Sequence, residues 1–164
     1  MIEACTIDTP AGPLAVLTDD EVVVAAGFST PEAMWDRLDP ATRTELVTRV
    51  ELGKTSRLVT DYLDGRLDAI DAIAIDQPGT ELQQQVWAGL RAIPAGETRT
   101  YTELATMTDR PRAIRAAGTA CGRNLIAPLV PCHRALRSDG TLGGYYYGLE
   151  VKRWLLDHEA RAAG

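Results

Sequence analysis

The chain has 164 residues, of which 45% are apolar and 24% are charged. This is the composition of a globular protein, and it excludes wholesale disorder. The longest apolar run, residues 22–28, is far shorter than the roughly 20 residues that span a bilayer, so we expect no membrane partner. Three cysteines without regular spacing do not make a disulfide framework, which favours a reducing, cytoplasmic location.

The net charge of −6 is distributed unevenly along the chain. Residues 1–97 carry 7 basic and 17 acidic side chains, residues 98–137 carry 7 and 2, and residues 138–164 carry 3 and 4. The net charges of the three segments are therefore −10, +5 and −1. A basic segment within an acidic chain produces a local field that attracts anions. It indicates either a surface for nucleic acid or another polyanion, or an ordinary solvated arginine-rich face.

The first part of the chain predicts a small α/β unit. Alternating apolar residues between turn signals predict strands over 4–8, 14–18, 21–28 and 72–76. One helix is predicted to begin with Thr30 as its cap and Pro31 in its first position, and another is predicted over 55–63. The sequence Gln77-Pro78-Gly79 interrupts the pattern, so we predict one domain over 1–78 and a second over 79–164.

The second part predicts helices over 81–93, 101–107, 111–121 and 149–160. Thr80 and Thr100 are suited to cap the first two of these helices, and Pro111 begins the third. A three-residue turn, 108–110, would join the second and third as a helix-turn-helix, a spacing that is only weakly specific. Residues 129–133 are predicted to be extended, because each proline biases the residue before it away from helix.

Cys132 is the strongest candidate for chemistry, because it lies in the sequence Pro131-Cys132-His133-Arg134. Neighbouring cations stabilise a thiolate, so this setting predicts a lowered thiol pKa. An extended segment would point Cys132 and His133 to opposite faces, and a bridging water or a turn at His133 would be needed for proton transfer. Glu159 is a candidate to hold the imidazole in one tautomer. The alternative is that Cys132 is a small buried core residue.

Several separated motifs carry a resemblance to a known family. They are Gly79-Thr80-Glu81-Leu82-Gln83-Gln84-Gln85-Val86-Trp87, Ile93-Pro94-Ala95-Gly96-Glu97-Thr98, Arg115-Ala116-Ala117-Gly118, Gly122-Arg123-Asn124, Pro131-Cys132-His133-Arg134 and Val151-Lys152-Arg153-Trp154-Leu155-Leu156-Asp157-His158-Glu159. In this order and spacing they resemble the O6-alkylguanine-DNA alkyltransferases, also called methylated-DNA–protein-cysteine methyltransferases. The resemblance covers residues 79–160, and the first third is similar only through residues 7–14.

The resemblance implies a mixed α/β (α+β) fold. A small N-terminal ribonuclease-H-like α/β domain would be followed by a mostly helical C-terminal domain, which would contain a helix-turn-helix and the active-site cysteine. We expect the first domain to be structural and the second to carry DNA binding and alkyl transfer.

The resemblance also implies irreversible repair of O6-alkylguanine in DNA, and of O4-methylthymine, with Cys132 as the alkyl acceptor. A soft sulfur can displace at carbon without a cofactor or metal, so we expect neither. His133 would take the thiol proton and Glu159 would orient it. Tyr101 matches the family's proton donor, and Asn124 matches the position that bridges the active-site turns.

The expected partner is double-stranded DNA containing O6-alkylguanine, bound by a monomer without an obligate protein partner. The family inserts the second helix of its helix-turn-helix into the minor groove and flips the nucleotide out. The residues expected to contact DNA are Arg115, which would fill the vacated stack, Ala116 and Gly118, which allow close approach, and Arg110, Arg112 and Arg123, which would meet phosphates. The residues expected to form the substrate pocket are Tyr145, Tyr146, Val130 and Pro131.

The chain departs from the family at Tyr146 and Tyr147, where members usually carry a small residue and glycine. Two bulky rings beside the pocket predict a preference for methyl over larger O6-substituents such as benzyl. Two other functions stay open. One is an alkylated-DNA-binding damage sensor of the same fold that transfers nothing, and the other is a Cys-His-Glu hydrolase with no role on DNA.

Overall fold

The computed structural model describes the whole chain, Met1–Gly164. Its backbone divides into unit 1, which comprises Met1–Gln77 and Leu125–Leu129, and unit 2, which comprises Pro78–Asn124 and Val130–Gly164. This differs from the predicted division, 1–78 and 79–164, at Pro78, which belongs to unit 2, and in the segment Leu125–Leu129, which belongs to unit 1. The combination of a small sheet with several helices is the α+β class expected from the sequence. No helix combines the length and apolar character needed to cross a lipid bilayer.

Unit 1 is built on a four-stranded sheet. The strands are β1 (Ile2–Ile7), β2 (Leu14–Asp19), β3 (Val22–Gly27) and β4 (Leu46–Thr48). Their order is β3-β2-β1-β4, with β1 and β4 parallel and the other pairs antiparallel. The central strand β2 is buried from Leu14 to Thr18. A two-residue turn joins β2 to β3, and its residues Asp20 and Glu21 have φ angles of 50° and 67°, the left-handed backbone that tight hairpins require.

The helices of unit 1 are α1 (Pro31–Asp36) and α2 (Lys54–Leu63), followed by a 3₁₀ turn over Leu67–Ala72. The predicted start of α1 is confirmed, because the Thr30 hydroxyl accepts a hydrogen bond from the Ala33 N–H at 3.1 Å. The strand predicted over 72–76 is wrong. Only Ile75 forms a bridge, to Val23, because the 3₁₀ turn takes up the preceding residues and Pro78, which has no N–H, follows closely.

The segment Leu125–Leu129 joins unit 1 through backbone hydrogen bonds to the edge of β3. The Ala26 N–H donates to the Leu125 carbonyl at 2.9 Å, and the Ala127 N–H donates to the Ala26 carbonyl at 2.9 Å. Local sequence pattern carries no signal for this pairing, because the two segments lie about one hundred residues apart.

Unit 2 is mostly helical, as predicted. It contains α3 (Glu81–Ala92), β5 (Arg99–Thr100), α4 (Tyr101–Thr106), α5 (Ile114–Gly122), a 3₁₀ turn (Cys132–Arg134), β6 (Ala135–Leu136) and α6 (Leu149–Ala163). Thr80 and Thr100 both form capping boxes, with Gln83 and Glu103, which explains where α3 and α4 begin. The Trp87 indole N–H donates to the Ala120 carbonyl at 3.0 Å and ties α3 to α5. A side chain at Gly79 would collide with the Trp87 ring at 2.6 Å.

The connection between α4 and α5 is longer than predicted. Helix α5 begins at Ile114 and not at Pro111, because residues 110–113 form a turn in which the Ala113 N–H donates to the Arg110 carbonyl at 3.0 Å. The joining segment is therefore 107–113 rather than a three-residue turn. The two helices still pack against each other, so the helix-turn-helix arrangement is retained with a longer loop.

Candidate active site

The backbone around Cys132 is turned, which corrects the extended conformation predicted for residues 129–133. Cys132–Arg134 form a 3₁₀ turn in which the Arg134 N–H donates to the Pro131 carbonyl at 3.0 Å. Consecutive side chains on a 3₁₀ turn are about 120° apart, so Cys132 and His133 are not on opposite faces. Within this turn the Cys132 side chain is partly exposed, whereas His133 is fully buried.

His133 is held by Glu159 on α6. The imidazole Nε2 lies 2.9 Å from Glu159 Oε2, and both side chains are buried. Although burial alone would raise it, the pKa of Glu159 is held well below its ordinary value by His133 and Arg134. An ionised carboxylate only accepts hydrogen bonds, so the imidazole places its proton on Nε2. The other nitrogen, Nδ1, then carries the lone pair, and it is buried without a hydrogen-bond partner among the protein atoms.

Arg134 completes this network and does not face the thiol as a cation. Its Nε donates to Glu159 Oε1 and its Nη2 to Glu159 Oε2, both at 2.9 Å, and its Nη1 donates to the Ile93 carbonyl at 2.7 Å. The arginine is therefore a buried bidentate partner of Glu159. Burial lowers the pKa of His133, against the attraction of Glu159, which keeps the imidazole neutral and able to accept a proton.

The Cys132 thiol lines a cavity of about 370 Å³. The residues that line it are Tyr101, Gly118, Cys121, Gly122, Asn124, Cys132, Gly144, Tyr145, Tyr146 and Tyr147. Contrary to the expected lowering, burial raises the pKa of the Cys132 thiol, and a hydrogen bond from Asn124 and the charge of Lys152 oppose that rise only in part. The thiol is therefore protonated at rest and needs a base to become a nucleophile.

Asn124 is fixed at the wall of this cavity by its amide, which donates to the Val130 carbonyl at 2.8 Å. Val130 and Pro131, which the sequence predicted in the substrate pocket, lie beside this cavity in sequence only, just before Cys132. Both are buried, and neither is among the cavity-lining residues. Val130 instead contributes the backbone carbonyl that orients Asn124.

Tyr101, the first residue of α4, places its ring in the cavity. Burial, together with the nearby Cys121 and Cys132 thiols, raises its pKa to about 12, while Arg137 acts in the opposite direction. The phenol is therefore protonated at neutral pH and able to donate a hydrogen bond or a proton.

Three tyrosine rings form one side of the cavity. The rings of Tyr145 and Tyr147 meet edge to face at 5.7 Å, and those of Tyr146 and Tyr147 at 4.9 Å. Such contacts hold the rings together beyond what their buried area provides. Tyr146 is 65% exposed, so it stands at the rim of the cavity and not at its base.

Lys152 is a site residue that the sequence pattern did not single out. Its ammonium is fully buried and donates to the carbonyls of Ala135 at 2.8 Å, Gly144 at 3.4 Å and Leu142. Three acceptors match the three donors of an ammonium. Burial lowers its pKa, and the neighbouring thiols of Cys132 and Cys121 oppose that shift. Its position in the sequence could have indicated burial, because Lys152 lies three residues before Leu155 and seven before Glu159, on the buried face of α6.

The residues expected to meet DNA lie on α5 and at its ends, where they are mostly exposed. Arg115 and Ala116 are on the exposed part of the helix, Arg110 and Arg112 are on the loop before it, and Arg123 follows its last residue. Arg115 and Gly118 line an open groove, and Gly118 also lines the Cys132 cavity. No group of three or more His, Cys, Asp or Glu side chains is arranged to hold a metal ion.

Comparisons with known proteins identify the family of this chain. A family model described as 6-O-methylguanine DNA methyltransferase, DNA binding domain, matches residues 81–161. The methylated-DNA–protein-cysteine methyltransferase of Salmonella typhimurium is 39% identical over 160 residues, which cover 93% of this chain and 92% of the relative. The crystal structure of Mycobacterium tuberculosis O6-methylguanine methyltransferase has a TM-score of 0.81 at 34% identity and covers 100% of this chain and 96% of its own. A structure of Mycobacterium tuberculosis OGT in complex with DNA has a TM-score of 0.81 at 35% identity, and the match covers 98% of this chain and 94% of the chain in that structure. The chain belongs to the methylated-DNA–protein-cysteine methyltransferase family.

Proposed function

We propose that this protein repairs alkylated DNA by transferring the alkyl group from O6 of guanine, and from O4 of methylthymine, to its own Cys132. The observation that carries the proposal is a thiol in a cavity that also holds a protonated phenol, beside a buried imidazole whose free nitrogen can accept a proton. Membership of the family and the DNA complex of a related protein support DNA as the partner.

The thiol proton passes to Nδ1 of His133 through a water molecule, and the sulfur then attacks the alkyl carbon. The carbon–oxygen bond breaks as the carbon–sulfur bond forms, and guanine leaves with the electron pair. Tyr101 donates a proton to the departing base and becomes a phenolate, and the proton that His133 took from the thiol then returns Tyr101 to the neutral phenol. Because thiol ionisation is unfavourable in this cavity, the His133–Glu159 pair and Lys152 are needed to stabilise the charge as it develops.

The product is a thioether on Cys132, which no group in the cavity can reverse. Each molecule therefore acts once, and the reaction consumes protein and lesion in equal amounts. No cofactor or metal takes part, because a soft sulfur displaces at an alkyl carbon without one.

The target atom is buried in a duplex, so the nucleotide has to be flipped out at a cost of a few kcal/mol. We assign the flipping to α5, which enters the minor groove with Ala116 and Gly118 on its close-approach side while Arg115 fills the vacated stack. The remaining arginines named for this role, Arg110, Arg112 and Arg123, contact phosphates and set the register without reading bases. The protein acts as a monomer on nucleoid DNA in the cytoplasm and requires no protein partner.

The test is to incubate the protein with an equal amount of duplex containing O6-methylguanine and to measure the mass of the Cys132 peptide. We expect a gain of one methyl group, absent in the control variant Cys132→Ala. Tight binding of the duplex without a mass gain would favour the damage sensor instead. Repeated ester hydrolysis without DNA would favour the hydrolase.

A further inference from the structure

A second arginine, Arg137, stands in the groove that leads to the Cys132 cavity. The groove is lined on one side by Ile114, Arg115 and Thr119 of α5, and on the other by Arg137 and Ser138, which follow β6. Tyr101 and Gly118 line both the groove and the cavity, so the two spaces adjoin. The role assigned to α5 does not use Arg137 or Ser138.

The side of the groove formed by Arg137 and Ser138, here called the wall, carries the charge to attract an anion. None of the groove-lining residues is acidic, and Arg137 takes part in none of the ion pairs found among the side chains. The neighbouring Asp139 is occupied by the turn, because its Oδ1 accepts hydrogen bonds from the Thr141 N–H at 3.0 Å and the Thr141 hydroxyl at 2.7 Å. The charge of Arg137 does act on Asp139 and helps to lower the pKa of that carboxyl, but the two side chains form no ion pair. The exposed guanidinium therefore retains its donors for a ligand.

Packing holds the wall in place before any ligand arrives. The aliphatic part of Arg137 lies against Gly143, where a side chain would come within 3.2 Å of Arg137 Cγ and 3.4 Å of the Tyr101 hydroxyl. Lys152 holds the carbonyls on either side of Gly143, those of Leu142 and Gly144. The Ser138 hydroxyl is 2.7 Å from the Thr102 hydroxyl on α4. Binding a ligand therefore costs Arg137 and Ser138 little conformational entropy.

A nucleotide turned into the Cys132 cavity stays attached to its strand through two phosphates, and these have to lie at the mouth of the cavity. We infer that Arg137, with Ser138 beside it, binds a phosphate flanking the flipped nucleotide, and so forms a phosphate-binding wall opposite α5. This inference rests on the proposed function, because it assumes that an extrahelical nucleotide enters this cavity. Arg115 would hold the duplex on one side of the groove and Arg137 the extruded strand on the other.

The experiment measures the second-order rate constant of methyl transfer from an O6-methylguanine duplex to the full-length protein over a range of salt concentrations. In Arg137→Gln we expect the rate constant to fall about three- to tenfold and the slope of its logarithm against log salt to become shallower by about 0.9, as for one lost phosphate contact. Arg137→Lys should retain most of the slope. Arg153→Gln, which removes an exposed arginine of α6 that lies outside the groove, should match the wild type.

A second measurement locates the phosphate. Each of the two linkages flanking the lesion is replaced in turn by an uncharged methylphosphonate, and one replacement should slow the wild type but not Arg137→Gln. On the free base O6-methylguanine, which has no phosphate, the ratio of wild-type to variant rate should be much smaller than on duplex. The inference would be overturned if Arg137→Gln left the salt slope unchanged, or if Arg153→Gln lowered the rate constant equally. It would also be overturned if each methylphosphonate slowed Arg137→Gln by the same factor as the wild type. If the wild type itself gained no methyl group, the proposed function would fail instead.

Discussion

Removing the charge of Glu159 should destabilise the fold far more than removing any exposed carboxylate. Glutamine has nearly the same shape, so Glu159→Gln leaves the packing intact. It leaves Arg134 as a buried cation whose acceptors, the Ile93 carbonyl and the new amide oxygen, carry no charge. Breaking a buried ion pair by removing one partner costs about 3–5 kcal/mol. For a chain of this length that corresponds to a decrease in Tm of roughly 6–20 °C.

The loss of stability in Glu159→Gln should depend on pH in a defined direction. The folded pKa of Glu159 lies below its unfolded value, so its contribution to the free energy of unfolding is complete above about pH 4.3 and is lost as pH falls from there. The difference between wild type and Glu159→Gln should therefore be largest near neutral pH and shrink below about pH 4.3.

Thermal unfolding followed by circular dichroism at pH 7 and at about pH 2.5, well below the unfolded pKa of the carboxyl, measures both effects. The matched control is Asp157→Asn, which removes an exposed carboxylate of the same helix and should change stability by no more than about 0.5 kcal/mol. A Tm for Glu159→Gln within 2 °C or so of the control would refute the reasoning, because it would mean that the buried guanidinium does not depend on the carboxylate.

Four further outcomes are expected. Lys152→Met should raise the pKa of the Cys132 thiol further, seen as an upward shift in the pH midpoint of iodoacetamide alkylation, and an unshifted midpoint would contradict the electrostatic role of the ammonium. Tyr101→Phe should lower the single-turnover rate constant of methyl transfer by about 10²-fold, and an unchanged rate would exclude the phenol as proton donor. Arg115→Ala should slow transfer from duplex more than from free base, because it acts on flipping, so equal losses on both substrates would argue against that role. Single-turnover rates should be lower for O6-benzylguanine than for O6-methylguanine because of the ring of Tyr146 at the rim, and comparable rates would show that the rim does not restrict the alkyl group.

Local signals in the sequence were sufficient for most elements and for the position of the thiol. Thr30 and Pro31 predicted the start of α1, and Thr80 and Thr100, as cap residues, predicted the starts of α3 and α4, because a cap depends on residues within one turn. Local rules misplaced the start of α5, where Pro111 occupies a turn before the helix and not its first position. They also assigned a strand to 72–76, where the 3₁₀ turn ends at Ala72 and only Ile75 forms a bridge, to Val23 of β3.

By itself the sequence determined which chemistry the chain can carry: a Cys-His pair, a carboxylate at residue 159, a phenol at residue 101 and a positively charged middle segment. Tertiary structure alone decided how these groups are used. It turned Arg134 away from the thiol to Glu159, placed the Lys152 ammonium near Cys132 in its stead, and left Nδ1 of His133 as the free nitrogen. The physical reason is that contacts between charges far apart in the chain depend on how helices and turns pack, and desolvation, which raised the pKa of the thiol against its sequence neighbours, exists only once the core has formed.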